Sequence, residues 1–238
     1  MPFAKINGLR LYYELHGDSG EPLVFVHGFT GDSTDWQHQI DEFAGDYRVL
    51  VFDNRGHGQS EAPQDHGSYS VNAMTDDALE VVAHAGLQRY HLVGHSMGGA
   101  IAQEIALRNP EQLRSLTLHD TSHSFGDHDE PGGTLPYVPP DDVKVAMERV
   151  AKMSKDALAG AWQGLIGWRG STDRAHEITT PTLIIYGDRD ASRIIEGSRR
   201  LKELIPHANV VSVAGAGHSP QRERPDEYNR ALREFLGG

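Results

Sequence analysis

Apolar runs of three to seven residues, many of them β-branched, alternate along the chain with patterns in which apolar residues recur every three or four positions. The runs predict buried strands at residues 9–15, 23–26, 47–52, 91–93, 113–118, 181–186 and 210–213. The recurring patterns predict helices at 33–43, 70–86, 99–109 and from 225 onward, with Ser33 or Thr34 capping the first and Ser70 the second. This alternation is typical of a mostly parallel sheet covered by helices on both faces.

The alternation stops between residues 122 and 177. This segment has no pattern of a buried strand, and it begins with a polar loop that contains Pro131, Gly132, Gly133, Pro136, Pro139 and Pro140. Two helical patterns follow, the first with Val143, Met147 and Val150, the second with Leu158, Trp162 and Leu165. We therefore divide the chain into a core domain of residues 1–121 and 178–238 and an insertion at 122–177.

A serine lies at the sharpest predicted turn of the chain. Residues 94–98 have the sequence GHSMG, between an apolar strand pattern and a helical pattern. In that context G-x-S-x-G predicts a nucleophile elbow, in which Ser96 is held at the tip of a strained turn beside the start of a helix. The following amide, that of Met97, is then placed to stabilise negative charge.

A serine hydroxyl needs a base to remove its proton and an acid to orient that base. His218 follows the strand at 210–213, in a loop of small residues, and is the candidate base. Asp188 and Asp190 both follow the strand at 181–186, and either carboxylate would lie at the edge of the sheet where parallel strands end. His95 is adjacent to the serine on a strand and is expected to point to the opposite side.

Four motifs in this order resemble those of the α/β-hydrolase family, namely VHGF at 26–29, DNRGHGQS at 53–60, the elbow, and GAGH at 215–218. The resemblance covers nearly the whole chain and implies a mostly parallel sheet of the eight-stranded type, with residues 122–177 as a short helical cap over the active site. It also implies that Asp190, the last residue of G-x-x-D, is the acid of a triad with Ser96 and His218, and that Asp188 is the second candidate. By the same resemblance, the backbone N–H groups of Phe29 and Met97 form the oxyanion hole.

The function that these residues predict is serine-dependent hydrolysis of carboxylic esters or lactones, with small to medium acyl groups, through an acyl-enzyme. Dehalogenase and epoxide-hydrolase relatives need a carboxylate at the elbow, where this chain has Ser96. A carbon–carbon lyase similar to the menaquinone-pathway synthase is an alternative, although that relative has an arginine where this chain has Ala100. A ligand receptor that retains the triad is a third.

Composition narrows the range of partners. The chain has no cysteine, which excludes disulfides and thiolate catalysis, and its formal net charge of −12 argues against binding nucleic acid. No nucleotide-binding glycine motif follows a strand, so no cofactor is expected. With neither a signal-peptide pattern at residues 1–6 nor an apolar run of membrane-spanning length, we expect a cytoplasmic protein, not associated with a membrane, whose partner is a small-molecule substrate.

Three further groups of residues need an interpretation. Histidines and carboxylates crowd one segment, at His119, Asp120, His123, Asp127, His128 and Asp129, but their spacing matches no metal-binding motif and we expect no metal. The apolar residues of the insertion imply a partly apolar pocket above Ser96, with Trp162 and Leu165 as candidate lining residues. Arg55 and His57 are expected to stabilise the turn after their strand.

Overall fold

The protein, described here by a computed structural model over residues 2–126 and 140–237, is built on one eight-stranded sheet. The strands are β1 (Phe3–Ile6), β2 (Leu9–His16), β3 (Glu21–Val26), β4 (Tyr47–Phe52), β5 (Tyr90–His95), β6 (Leu113–His119), β7 (Thr182–Gly187) and β8 (Asn209–Val213). They lie in the order β1-β2-β4-β3-β5-β6-β7-β8, and every pair beyond β2–β4 is parallel. The predicted mostly parallel sheet is therefore confirmed, with β1 as a strand that the sequence pattern missed.

Helices cover both faces of this sheet. They are α1 (Gln37–Phe43), α2 (Val71–His84), α3 (Met97–Arg108), α4 (Pro140–Lys152), α5 (Lys155–Ile166), α6 (Ser192–Leu204), α7 (Pro220–Glu223) and α8 (Pro225–Leu236). Alternate residues of β3 show the two layers, because Val24 packs in the cluster with α2 and α3 while Phe25 packs in the cluster with α1 and α8. The central strands are buried on both sides, which is why they appear in the sequence as continuous apolar runs.

The helix starts agree with the sequence prediction at one site and correct it at another. Ser70 caps α2, since its hydroxyl accepts a hydrogen bond from the backbone N–H of Ala73 at 3.1 Å. The helical segment predicted at 33–43 begins with a 3₁₀ turn, Ser33–Trp36, which precedes α1. Asp32 caps this turn, because its carboxylate accepts a hydrogen bond from Thr34 N at 3.0 Å, so the prediction of Ser33 or Thr34 as the cap was wrong. The backbone N–H of Ser33 instead donates to Asp53 at 2.7 Å, which binds this turn to the end of β4.

The predicted insertion contains α4 and α5, and its described residues include no strand. The prolines and glycines predicted as a loop at 131–139 lie outside the described residues. On α5, Ala157 and Ala161 pack against the buried ring of Tyr69. A Cβ at Gly164 would lie 2.0 Å from the carbonyl oxygen of Tyr69, so the backbone of α5 packs directly against the backbone at Tyr69. Among the described residues, no helix combines the length and the apolar character that crossing a bilayer requires.

A buried ion pair fixes the turn after β4 to α2, as expected for Arg55. Its guanidinium donates two hydrogen bonds to the carboxylate of Asp77, at 2.6 and 2.7 Å, and the Asp77 side chain is 1% exposed. Asn7 donates a third hydrogen bond to the same carboxylate at 2.9 Å. Planar, bidentate geometry of this kind is specific to arginine.

We predict that Arg55→Met lowers the free energy of unfolding by about 3 kcal/mol, because it leaves the carboxylate of Asp77 buried without its cation. The double variant Arg55→Met/Asp77→Leu should recover most of this loss, because the buried charge is then gone. Urea denaturation of both variants measures the effect. A single variant within about 1 kcal/mol of the parent protein, or a double variant no more stable than the single one, would contradict this account.

Candidate active site

Ser96 lies between the last residue of β5 and the first residue of α3, in a strained backbone conformation. Its φ is 52° and its ψ is −113°, a region that side chains with a Cβ rarely adopt. Two contacts hold the turn, since Ser96 N donates to His119 O at 2.9 Å and the Thr121 hydroxyl donates to Ser96 O at 2.8 Å. The predicted strand, sharp turn and helix are therefore present, and Ser96 is 7% exposed.

The glycines of the motif are required by close backbone contacts. A Cβ at Gly94 would lie 2.3 Å from the carbonyl oxygen of Gly98, and a Cβ at Gly98 would lie 2.2 Å from that of Val26. Neither neighbour can move without displacing a strand or a helix. These glycines let the start of α3 lie directly against the end of β3.

The loop after β3 is held by a buried histidine whose tautomer can be assigned. The backbone N–H of Asn54 donates to His27 Nε2 at 2.9 Å, so the proton of the neutral ring lies on Nδ1. His27 Nδ1 then donates to the carbonyl oxygen of Gly28 at 2.8 Å, and that oxygen also accepts from Gly31 N at 3.1 Å. This turn brings Gly28, the residue before Phe29, against the side chain of Ser96, since a Cβ at Gly28 would lie 3.1 Å from Ser96 Cβ.

His218 and Asp190 form a hydrogen-bonded pair at the same edge of the sheet. His218 Nδ1 lies 2.7 Å from Asp190 Oδ2, and the other oxygen of Asp190 accepts from Ala191 N at 2.6 Å. Burial acts to lower the pKa of His218, but the charge and the hydrogen bond of Asp190 outweigh it and raise the pKa above the ordinary 6.5. Burial likewise acts against the charge of Asp190, and its contacts with His218 reverse that effect and lower its pKa.

The two aspartates after β7 have different partners. Asp188 accepts a hydrogen bond from Gly215 N at 2.7 Å, which closes the turns after β7 and β8 against each other. Asp190, two residues later, is the carboxylate that contacts His218. Asp190 therefore makes the contact with His218 that the family resemblance implies for it, and Asp188 stabilises the neighbouring loop.

His95, the residue directly before Ser96, packs against the loop of the candidate base. That it points to the side opposite Ser96 stays a prediction. Its ring centroid lies 5.0 Å from that of His218, and its Nε2 lies 2.8 Å from the carbonyl oxygen of His218. The loop after β8 folds back over the end of β5, and its residue His218 therefore meets the side chain of His95. This contact joins the His218 loop to the residue directly before Ser96.

The insertion reaches the site through Trp162. Its ring lies 5.6 Å from that of Phe29 and the residue is 40% exposed. Its role in lining a pocket stays a prediction. Leu165 is only 2% exposed and belongs to the large core cluster, where it packs α5 onto the sheet domain. Met147, on the preceding helix, is exposed.

Of the six histidines and carboxylates that the sequence places between residues 119 and 129, the structure describes three, and His123 has a partner different from those of His119 and Asp120. His119 and Asp120 are buried in the core, whereas His123 Nδ1 lies 2.7 Å from the hydroxyl of Thr172. Asp127, His128 and Asp129 lie outside the described residues. A different group of ligand-type side chains does meet, since one atom each of Asp120, Asp190 and His218 lies within 4.8 Å of the other two. The absence of a metal stays a prediction.

Asp120 is the residue of the site that the sequence did not single out. It was grouped with its loop neighbours, although it directly follows a buried strand, as Ser96 and Asp188 also do. That position was the available signal, because side chains at the ends of neighbouring parallel strands meet at one edge of the sheet.

Similarity to known proteins extends over the whole chain. A family model described as alpha/beta hydrolase fold matches residues 21–152. The enol-lactonase from Burkholderia xenovorans LB400 has 25% identity and a TM-score of 0.87, with 100% of both chains covered. A thermophilic esterase from Thermogutta terrifontis has 28% identity and a TM-score of 0.87, over 99% of this chain and 96% of that one. Epoxide hydrolase 3 of Xenopus tropicalis is 26% identical, over 98% of this chain and 76% of its own length.

We predict that Ser96→Gly is more stable than Ser96→Ala by about 1 kcal/mol. Both variants lack the hydroxyl, but only glycine removes the Cβ from a residue whose φ is 52°. Chemical denaturation of the two proteins provides the comparison. Equal stability, or a more stable alanine variant, would show that the turn at Ser96 stores no strain.

Proposed function

The chain belongs to the α/β-hydrolase fold family, and on that premise we propose that it is a serine-dependent hydrolase of carboxylic esters or lactones. The substrates have small to medium acyl groups, and the reaction passes through an acyl-enzyme. One observation carries the proposal: the strained Ser96 at the start of α3 shares its sheet edge with the hydrogen-bonded pair of Asp190 and His218. A nucleophile, a base and the group that orients the base are then contributed by three separate loops.

The proton transfers follow from the orientation of His218. Its Nδ1–H donates to Asp190, which leaves Nε2 as the nitrogen that accepts the proton of the Ser96 hydroxyl. Attack of the serine oxygen on the acyl carbon breaks the carbonyl π bond, and His218 returns the proton to the leaving alcohol. Water, deprotonated by the same nitrogen, then releases the acid and restores Ser96. The cycle uses side chains and water and requires no cofactor.

The oxyanion of the tetrahedral intermediate is held by the backbone N–H groups of Met97 and Phe29 in this proposal. Met97 is the first residue of α3, and the first amides of a helix have no acceptor within it. Phe29 follows Gly28, which the turn held by His27 brings against Ser96. The loss of one such donor costs about 3 kcal/mol of transition-state stabilisation.

The similar proteins and the elbow residue support this choice of reaction. Proteins named as an esterase and an enol-lactonase cover this chain almost completely. The epoxide-hydrolase relative favours a broader assignment, but opening an epoxide as an alkyl ester needs a carboxylate where this chain has Ser96. Ala100 is buried in the core and offers no cation for a substrate carboxylate, which weighs against the lyase alternative.

We predict that Ser96→Ala loses about 10⁴-fold or more in kcat on p-nitrophenyl acetate or butyrate, because the nucleophile is gone. Asp188→Asn is the matched control, because the carboxylate of Asp188 accepts a hydrogen bond from Gly215 N in the neighbouring turn and not from His218. This variant should keep its activity. A panel of acyl esters and lactones of increasing chain length, run with both variants, measures the effect. Undiminished turnover by Ser96→Ala, or a parent protein without turnover of any ester or lactone, would refute the proposal.

We also predict that kcat/KM falls in acid with a midpoint above pH 6.5. His218 acts as a base only when it is neutral, and the charge of Asp190 raises its pKa above the ordinary value against the effect of burial. Activity is therefore full above this pKa and is lost as the pH falls through it. Initial rates at low substrate concentration give the midpoint, and a value at or below 6.5 would contradict the assigned pairing.

A further inference from the structure

Asp120 is a second buried carboxyl at the candidate site, and it binds the ends of two strands together. It follows β6 and is 0% exposed, with a φ of 40°. Its backbone N–H donates to Ile185 O at 2.9 Å, and its Oδ1 accepts from Gly187 N at 3.0 Å. These bonds extend the pairing of β6 with β7, and they leave Oδ2 as the atom whose surroundings decide its protonation.

The surroundings of Asp120 Oδ2 are acceptors. The atom lies 2.8 Å from His119 Nδ1, and no donor among the described residues makes a hydrogen bond to it. His119 Nε2 lies 2.8 Å from Gln221 Oε1, and with the amide in this orientation Nε2 carries the proton and Nδ1 has none to donate to Asp120. A carboxylate oxygen of Asp190, also an acceptor, lies within 4.8 Å of one of Asp120, and the two carboxyls interact as hydrogen-bond partners. In this arrangement Oδ2 is satisfied when it carries a hydrogen itself.

We propose that Asp120 is protonated and donates a hydrogen bond from its carboxyl group to Asp190, so that the two carboxyls hold one negative charge between them. Asp120 is then a positioning residue for the pair of Asp190 and His218. Its importance for turnover rests on the proposed function, whereas the shared charge does not. The single charge stays with Asp190, because that carboxylate makes the hydrogen bond to His218.

The electrostatics of the cluster agree with this assignment. Burial and the nearby charge of Asp190 raise the pKa of Asp120 well above its usual range, while the pKa of Asp190 is lowered. Besides this pair and His218, the titratable groups that contribute around it are His119 on β6, His95 on β5, Arg193 on α6 and Tyr228 on α8. Burial keeps the two histidines neutral and the tyrosine protonated, so none of these three compensates a second anion.

One consequence distinguishes a shared charge from a purely structural contact. When Asp190 is replaced by asparagine, the repulsion from its charge disappears, and burial alone then opposes the ionisation of Asp120. With the His218 charge beside it to stabilise an anion, Asp120 ionises in place of Asp190 and supplies the negative charge near His218. If Asp120 could not ionise, the single substitution of Asp190 would remove all of the negative charge that raises the pKa of His218.

The experiment follows the pKa of His218 by NMR in the parent protein, Asp120→Asn, Asp190→Asn and the double variant, with Ser96 intact. Asparagine is the matched replacement for Asp120, because it tolerates the left-handed backbone, donates through its NH₂ group and still accepts from Gly187. We expect no change in Asp120→Asn and a decrease in Asp190→Asn. The double variant should show a further decrease of about one unit.

The same four proteins are assayed for ester hydrolysis. The double variant should be about tenfold slower than Asp190→Asn, because it lacks both carboxyl groups that can hold the negative charge near His218. A fall of about one unit in the pKa of His218 in Asp120→Asn alone would show that Asp120 is ionised, and would overturn the proposal. So would a double variant identical to Asp190→Asn in pKa and rate.

The NMR titration needs no turnover, so the two proposals fail separately. If the parent protein hydrolyses no ester or lactone while the His218 pKa follows the expected series, the proposed function fails and the shared charge stands. If the double variant does not fold, Asp190→Asn alone decides the question. A second ionisation, that of Asp120, must then appear in the titration of His218, and a single ionisation would overturn the proposal.

Discussion

The close contact between the start of α3 and the end of β3 is the constraint on which the candidate site depends. With no Cβ at Gly98, the first turn of α3 packs against the carbonyl oxygen of Val26, and the chain can reverse direction within one residue. Ser96 therefore adopts a positive φ and lies at the N-terminal end of the helix dipole. The strain of this residue is balanced by hydrogen bonds that it makes to β6 and to Thr121.

Around this turn, the buried ionisable groups differ in charge because their partners differ. Asp190 meets an imidazole N–H and is stabilised as an anion, whereas Asp120 faces a lone pair and another carboxylate. The charge of Asp190 raises the pKa of His218, while burial lowers the pKa of the neighbouring His95 well below its usual range. The pKa values of these four neighbouring groups are thus shifted in different directions by their partners. Asp120, Asp190 and His95 are all buried, so burial alone does not separate their roles.

The sequence predicted those parts of the molecule in which a local pattern is sufficient. Buried parallel strands are continuous apolar runs, and β4 was predicted with the bounds that it has, at Tyr47–Phe52. The edge strand β1 was missed, because four residues paired on one side leave little pattern. The choice between Asp188 and Asp190 and the role of Asp120 depend on partners that are distant in sequence, so only the sheet topology could bring them into view. The contact of His95 with the His218 loop could not be predicted from the sequence for the same reason.

The buried, uncharged imidazoles have a consequence for the molecule as a whole. Burial lowers the pKa of His57 and His119 to about 3, and that of His95 well below its usual range. The unfolded chain takes up these protons near pH 6.5, so below that pH each histidine weakens the native state by about 1.4 kcal/mol per pH unit. Asp120 acts in the opposite sense, because the native state retains its proton. The interior that keeps these rings unprotonated therefore makes the protein unsuited to acidic surroundings.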